Sequence, residues 1–397
     1  MTTQKSYFHI QSVRIISGVL FIIVFLTGFL TTSSDSNAQS FPLKDSFSVY
    51  GQLRPSLTHI DSRNNRGVET SLTQYQIRAR MNVDYSFSNQ VKLQTRLVMK
   101  LSTETNAMEF WTHPYAPSSG GLAAGQTTFD VFNIAWRPSA KLYIEFGRMQ
   151  HAFQLRGLIP KSFDRYHSQN LASTWSDGLW FRWSAFKHWD VHTIFQYNHP
   201  NGSGSAFTGP ISFKNDAARL SYFIALENTD TGGFWSQRGL SATLIPQSIV
   251  IDGDDKNYFL FSGRVGVNLP LEFSWMRVNI GTELAYAPNS PDYTQFNLEP
   301  DTPRASGSIG WQASLNFQRI FEKNALSILY GYAEPGMLIA PSYRNNIDTW
   351  EIRYQYRFTS TISTEIRYRI RHQQYKPVNA DVLRLDRDFY ARLTIRI

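Results

Sequence analysis

YQIRARMNVDYSF, residues 75–87, alternates apolar and polar side chains without a break. Tyr75, Ile77, Ala79, Met81, Val83, Tyr85 and Phe87 share one parity. Gln76, Arg78, Arg80, Asn82, Asp84 and Ser86 share the other. Successive side chains of a β-strand point to opposite faces, so this segment as a strand has one apolar and one polar face. As a helix it would scatter the same residues around its circumference. The next segment repeats the pattern, with Val91, Leu93, Leu97 and Met99 set against Lys92, Gln94, Arg96 and Lys100. The pattern persists to the last residues, where Phe389, Ala391, Leu393 and Ile395 alternate with Tyr390, Arg392, Thr394 and Arg396.

Such segments recur about sixteen times (roughly 14–18, the least regular being 234–246), the even count of an antiparallel transmembrane β-barrel. The connections divide into two kinds. Ser88-Asn89, Pro138–Ala140, Lys187-His188, Asn228–Gly233, Pro270, Glu322-Lys323 and Thr359-Ser360 are short. The alternate ones, 59–69, 104–126, 152–177, 200–216, 247–256, 287–305, 335–346 and 373–386, are long. Short periplasmic turns alternating with long extracellular loops are the layout of an outer-membrane barrel. A soluble β-sandwich also alternates, but its strands are usually shorter, about five or six residues. Aromatic placement points the same way. Tyr85, Phe87, Trp136, Phe186, Trp189, Phe317, Phe321 and Phe358 cluster beside the short turns, and Tyr197, Tyr286, Tyr332 and Trp350 near the opposite ends. Two aromatic bands at strand termini are what a membrane interface requires.

Residues 1–38 read as an export signal. Lys5 and Arg14 are followed by the apolar run Ile15–Leu30 and by small residues up to Ala38. An uncleaved anchor is the alternative. Residues 39–397 then form the barrel, placed in the outer membrane of a Gram-negative bacterium, in contact with its lipid and inserted by the barrel-assembly machinery. The 397 residues contain no Cys, which excludes disulfides and thiolate metal sites. Sixteen strands enclose more space than side chains fill, so the lumen is expected to hold water. Nothing between Gln39 and Phe47 is long enough for a plug.

The formal net charge is +8, and the polar faces of the end strands concentrate the cations. One block is Arg353, Arg357, Arg367, Arg369, Arg371, Arg392 and Arg396. The other is Arg54, Arg78, Arg80, Lys92, Arg96 and Lys100. Barrel closure fuses the two into one basic wall over six strands, on which Asp84, Glu351 and Glu365 are the acids read on those faces. Charge lining a pore sets its selectivity, so the wall favours small anions. The alternative is a structural lattice in which these arginines pair with acids. Loop 152–177 carries Arg156, Lys161, Asp164 and Arg165 among Phe153, Leu155, Leu158, Ile159, Phe163, Tyr166 and Trp175. That apolar content suggests a loop that folds into the lumen and constricts it, or one that packs over the mouth or against a neighbouring subunit.

Gly147-Arg148-Met149-Gln150, followed after a loop by Asp177-Gly178-Leu179 and an alternating strand, resembles the porins of the alginate-export type. Members have a strand ending Gly-Arg-Gln and a later strand opening Phe-Asp-Gly. This chain departs at Met149, an inserted residue, and at Ser176, where the family has Phe. The resemblance covers about a tenth of the chain and implies an outer-membrane channel for anionic solutes such as sugar acids; for some porins it also implies a homo-oligomer. Other readings are a barrel with an occluded lumen whose loops bind a partner, and an outer-membrane hydrolase using His167 and Ser168. Neither those two residues nor any other set shows catalytic spacing, so no enzyme activity is expected. Asp252, Asp254 and Asp255 depart from the twelve-residue calcium loop, so no metal site is expected. No cofactor and no nucleic-acid partner is expected either.

Overall fold

The computed structural model describes residues 46–102, 110–111, 127–165, 168–169, 174–198, 210–213, 216–230, 233–271, 274–299, 307–340 and 342–397. The proposed export signal lies outside these residues. Sixteen long strands form one ring. They are β1 (Phe47–Arg63), β2 (Glu69–Ser86), β3 (Val91–Ser102), β4 (Thr127–Ser139), β5 (Leu142–Met149), β6 (Thr174–Phe186), β7 (Trp189–Tyr197) and β8 (Leu220–Asn228). Then come β9 (Trp235–Ile251), β10 (Asp254–Asn268), β11 (Arg277–Ala287), β12 (Ser308–Ile320), β13 (Asn324–Ala333), β14 (Ile347–Arg357), β15 (Ile362–Gln373) and β16 (Leu385–Arg396). Two-residue strands at 110–111 and 168–169 add to β4 and β6.

Each long strand pairs antiparallel with its sequence neighbours, and β16 pairs with β1 from Gln52↔Arg396 to Arg63↔Leu385. The amides of Gly51 and Ile397 exchange hydrogen bonds of 2.8 and 3.0 Å at the foot of that seam. A ring closed in this way has no free edge, which is the only way a sheet can satisfy its backbone in hydrocarbon. The outward parity is apolar and bare. Phe132, Ile134, Phe146, Leu240 and Leu284 are all exposed, as are the expected girdle residues Phe87, Trp136, Phe186, Phe321, Phe358, Tyr197, Tyr286 and Trp350.

The loop sorting needs three corrections, the first being that the turn read at Pro270 alone spans residues 269–276, because β10 ends at Asn268 and β11 begins at Arg277. Segment 247–256 is not a long loop: β9 and β10 run on to a two-residue hairpin at Asp252-Gly253, whose φ values of 55° and 85° suit a primed turn. The alternation is masked there by a bulge between the Ile245 and Ile249 pairings. Loop 59–69 likewise contracts to 64–68, because β1 and β2 extend to Arg63 and from Glu69.

Gly147 and Gly178 face each other across β5 and β6. Their φ values of 124° and 154° belong to a region that side chains rarely adopt, and a Cβ at either would overlap a carbonyl oxygen of the next strand, Phe132 or Phe195. Gly178→Ala should therefore lower the denaturant midpoint of the refolded barrel, the strain amounting to about 1–3 kcal/mol. Gly51→Ala, on an extended strand with its nearest outside atom at 3.5 Å, should leave that midpoint unchanged.

Candidate functional site: a divided lumen

The inward faces of β9–β13 are not uniformly polar. Towards the extracellular end they carry Ile245, Ile249, Tyr258, Leu260, Ala285, Ala287, Leu329 and Ala333, all buried although they point into the ring. They are covered by Ile159 and Phe163 of the loop after β5, by Met337, Leu338, Ile339, Ala340 and Tyr343 of the loop after β13, and by Phe213 and Ala218. Two loops thus turn inward and build an apolar core inside the barrel. Each large side chain so buried contributes roughly 1.5–3 kcal/mol, enough that neither loop stands free in water.

The wall makes room by omitting side chains. Gly310 of β12 and Gly331 of β13 face inward, and a Cβ on them would collide with the rings of Phe163 and Tyr343 respectively. Those two rings stack at 4.8 Å, 8° from parallel. At Gly281 of β11 an added Cβ would press on the Ser314 hydroxyl at 2.9 Å and make ordinary contact with Leu155 at 3.5 Å. Sequence parity marks these glycines as lumen-facing, but nothing local says which ring fills the space.

Polar contacts fix the register of the loop after β5. The Thr243 hydroxyl donates to the Asp164 carbonyl (2.6 Å), Gln312 Nε2 to the Lys161 carbonyl (2.9 Å) and Arg353 Nη1 to the Leu158 carbonyl (3.2 Å). Arg264, itself against Glu283 at 3.5 Å, donates to the Phe153 carbonyl. Gln237 accepts from the Arg156 amide and donates to the Gln154 carbonyl, both at 2.8 Å. Lys161 Nζ lies 3.0 Å from Glu351. Burial pushes its ammonium below the ordinary lysine range, and the Glu351 carboxylate opposes that push. Asp164 accepts from Ser162 Oγ (2.9 Å) and the Phe153 amide (3.3 Å) and pairs with Arg165 (3.4 Å). Burial draws Arg165 down to about 10, with Asp164 opposing. Lys161, Asp164 and Arg165 thus sit inside the docking surface, whereas Arg156 is exposed. Tyr166 and His167 lie outside the described residues.

The root of this loop is held by the glycine-flanked motif. Arg148 donates to both Asp177 oxygens (2.8 and 3.2 Å) and to the Phe129 carbonyl (2.8 Å). The indole of Trp175 lies 4.6 Å from its guanidinium carbon and donates to Asp177 (3.2 Å).

On the other side of the ring, β14–β16 and β1–β4 carry the basic blocks. Arg80 and Arg96 share Asp130, at 3.0 and 2.6 Å. Arg367 and Arg369 share Asp388, at 2.5 and 2.6 Å, and Arg353 and Arg392 share Glu365, at 3.5 and 2.8 Å. Arg353 also joins Lys161 on Glu351, at 2.5 Å. Arg344 and Arg384 share Asp386, and Lys92 meets Asp84. Most of these acids therefore hold two cations each. The acids are buried, Asp130 at 0% and Asp388 at 2% exposed, while Arg80, Arg96, Arg353, Arg367, Arg369 and Arg392 retain 13–19% side-chain exposure. The carboxylates lie beneath and the guanidiniums above. Arg54, Arg78 and Arg371 are half-buried on the same faces, Lys100 is buried opposite Arg78, and Arg357 is exposed near the turn after β14 with Arg396 nearby at the foot of the seam.

Sequence parity missed half of these acids. Asp386 and Asp388 share the parity of Arg392, but the strand begins before the residue at which its alternation becomes regular. Asp130 is displaced by a bulge between Arg96 and Leu97, opposite Val131 and Phe129. The lattice partners are strand acids, not loop acids. Among the described residues no group of three or more His, Asp or Glu could hold a metal ion, and Ser168 lies in a two-residue strand with Gln169.

No family profile and no curated protein sequence matches the chain. Solved structures match its fold. Pseudomonas putida OprB aligns at TM-score 0.58 and 7% identity, over 90% of this chain and 95% of that one. Salmonella typhi OmpF in complex with daunomycin aligns at 0.54 and 11%, over 88% and 97%. Pseudomonas aeruginosa OpdQ aligns at 0.52 and 10%, over 89% and 99%. The fold is that of outer-membrane porins.

Gly331→Val fills the hollow that Tyr343 occupies. It should lift the two docked loops and raise the conductance of the barrel in a planar bilayer. Unchanged conductance from folded protein would show that these loops do not limit the passage.

Proposed function

We propose that the protein is a bacterial outer-membrane channel through which small hydrophilic solutes diffuse passively, with a preference for anions. The observation that carries this reading is the burial order of the two charge signs on the open wall: acids beneath, cations towards the water. Most of the acids being shared by two cations, the wall keeps a positive surplus, and a surplus lining a pore lowers the barrier for anions. The lattice and the selectivity readings of the arginines are therefore compatible. Each carboxylate fixes its guanidiniums without cancelling them.

The short resemblance to alginate-export porins at Gly147–Gln150 and Asp177–Leu179 supports sugar acids as the solute class. The exposed apolar outer face and its aromatic bands support a bilayer of outer-membrane lipid as surroundings, reached through an export signal at residues 1–38 and the barrel-assembly machinery. A homo-oligomer is compatible with that face. The internal apolar core favours a second reading, a barrel whose lumen is closed and whose loops serve a surface partner.

Reversal potentials across a potassium chloride gradient decide between them. Refolded protein should form channels with chloride preferred over potassium, and neutralising Arg367, Arg369 and Arg392 together to Gln should move the preference towards potassium. A wild-type preference for potassium would overturn the anion reading, and folded protein that gives no channels would establish the closed barrel.

A further inference from the structure

Among the cations of the open wall, Arg54 differs from those just described. Its Cα partner on β2 is Arg78, and the partner of Arg78 on β3 is Lys100, so three cations stand in one row across three strands. Arg80 and Arg392 take the flanking diagonal positions, opposite Gln52 and Ser56. Directly opposed side chains on an antiparallel pair have Cβ atoms about 4.5–5.5 Å apart, and like charges so placed destabilise the sheet.

Elsewhere on this wall such crowding is relieved by a shared carboxylate. Arg353 faces Arg367 across β14 and β15, and Glu365, Glu351 and Asp388 lie between and beside them. Arg54 has no carboxylate within salt-bridge distance among the described residues, and its Nε has no hydrogen-bond partner. The nearby Glu365 is already held by Arg353 and Arg392. Arg392, beside Arg54, is held by Glu365 at 2.8 Å, and its guanidinium lies 6.0 Å from the ring of Tyr390.

We propose that Arg54, with Arg78 and Arg392 beside it, forms a saturable binding site for an oxyanion carrying two negative charges. The proposal rests on the anion-channel reading and goes beyond a diffuse field: it places one stopping point at mid-height of β1. Guanidiniums bind oxyanions through parallel N–H···O bonds, and a doubly charged ion can take such bonds from two of them at once. A monovalent ion would match the charge of Arg54 alone and leave the surplus of the row around it. A cation such as Arg54, crowded by like charges and with no acid of its own, is a local sacrifice of stability, of the kind found at functional sites.

Sulfate is the probe. Added to potassium chloride in a planar bilayer, it should reduce the wild-type chloride current with a saturable concentration dependence, whereas nitrate should not. Arg54→Gln should raise the half-blocking sulfate concentration by about tenfold or more, the loss of a charge-assisted contact, and should keep the preference for chloride. Arg357→Gln should leave the block unchanged. Because Arg54→Gln relieves repulsion, it should fold; sulfate should raise the denaturant midpoint of the wild type and not of this variant. A chloride-preferring channel with no saturable sulfate block, a block that nitrate reproduces, or a block that survives Arg54→Gln would overturn the site. A channel that prefers potassium would instead overturn the reading on which it rests.

Discussion

Closure of the sheet is the constraint from which the rest follows. A strand at membrane depth can leave no amide unpaired, so the last strand must find the first. That pairing runs along Gln52–Arg63 and Leu385–Arg396. The seam has a chemical consequence, because residues more than three hundred positions apart in the chain become neighbours on one wall. Arg392 beside Arg54 is such a pair, and so is the Asn65 side chain donating to Gln373 at 2.5 Å. The basic wall does not exist in either terminal block alone.

The second half of the ring solves a different problem. Sixteen strands leave a lumen that the wall's own side chains cannot fill, and here two inward loops fill one side of it with an apolar core. A polar lumen wall could not have held them by hydrophobic burial, so the upper inward faces of β9–β13 are apolar and their glycines leave space for rings. What remains open is bounded by the half-exposed inward residues of β1, β2, β15 and β16. The apolar core and most of the charged wall thus lie on different strands, and they meet at β14, where Glu351 and Arg353 hold Lys161 and the Leu158 carbonyl of the docked loop.

Parity is a local property, and the features that depend on it alone were legible in the sequence: the ring, its outward apolar face, the aromatic bands and the inward side of the arginines. Features that depend on a fit between distant segments were not. Phe163 announces an apolar loop, but only the clearance at Gly310 and the ring of Tyr343 say where it rests. Met337-Leu338-Ile339-Ala340 is an apolar run in a loop, open to the same argument as Phe153–Phe163, and it could have been read. Asp130 could not, since one bulged residue reverses the parity of everything beyond it.

The motif at 147–150 and 177–179 acquires a physical meaning in this setting. A loop that leaves a strand and turns into the lumen must bend sharply where lipid-facing sheet ends, and the paired glycines supply backbone angles that side chains rarely adopt. The Arg148–Asp177 fork then ties the outgoing strand to the returning one, with Trp175 packed on the guanidinium. These residues are therefore occupied in holding the loop: Arg148 is 6% exposed, and its donors are taken by Asp177 and the Phe129 carbonyl. A resemblance carried by such residues speaks first about how a loop is anchored. The motif also reaches the charged wall, since Gln150 accepts from Arg96 and donates to Asp130, the carboxylate that Arg80 and Arg96 share.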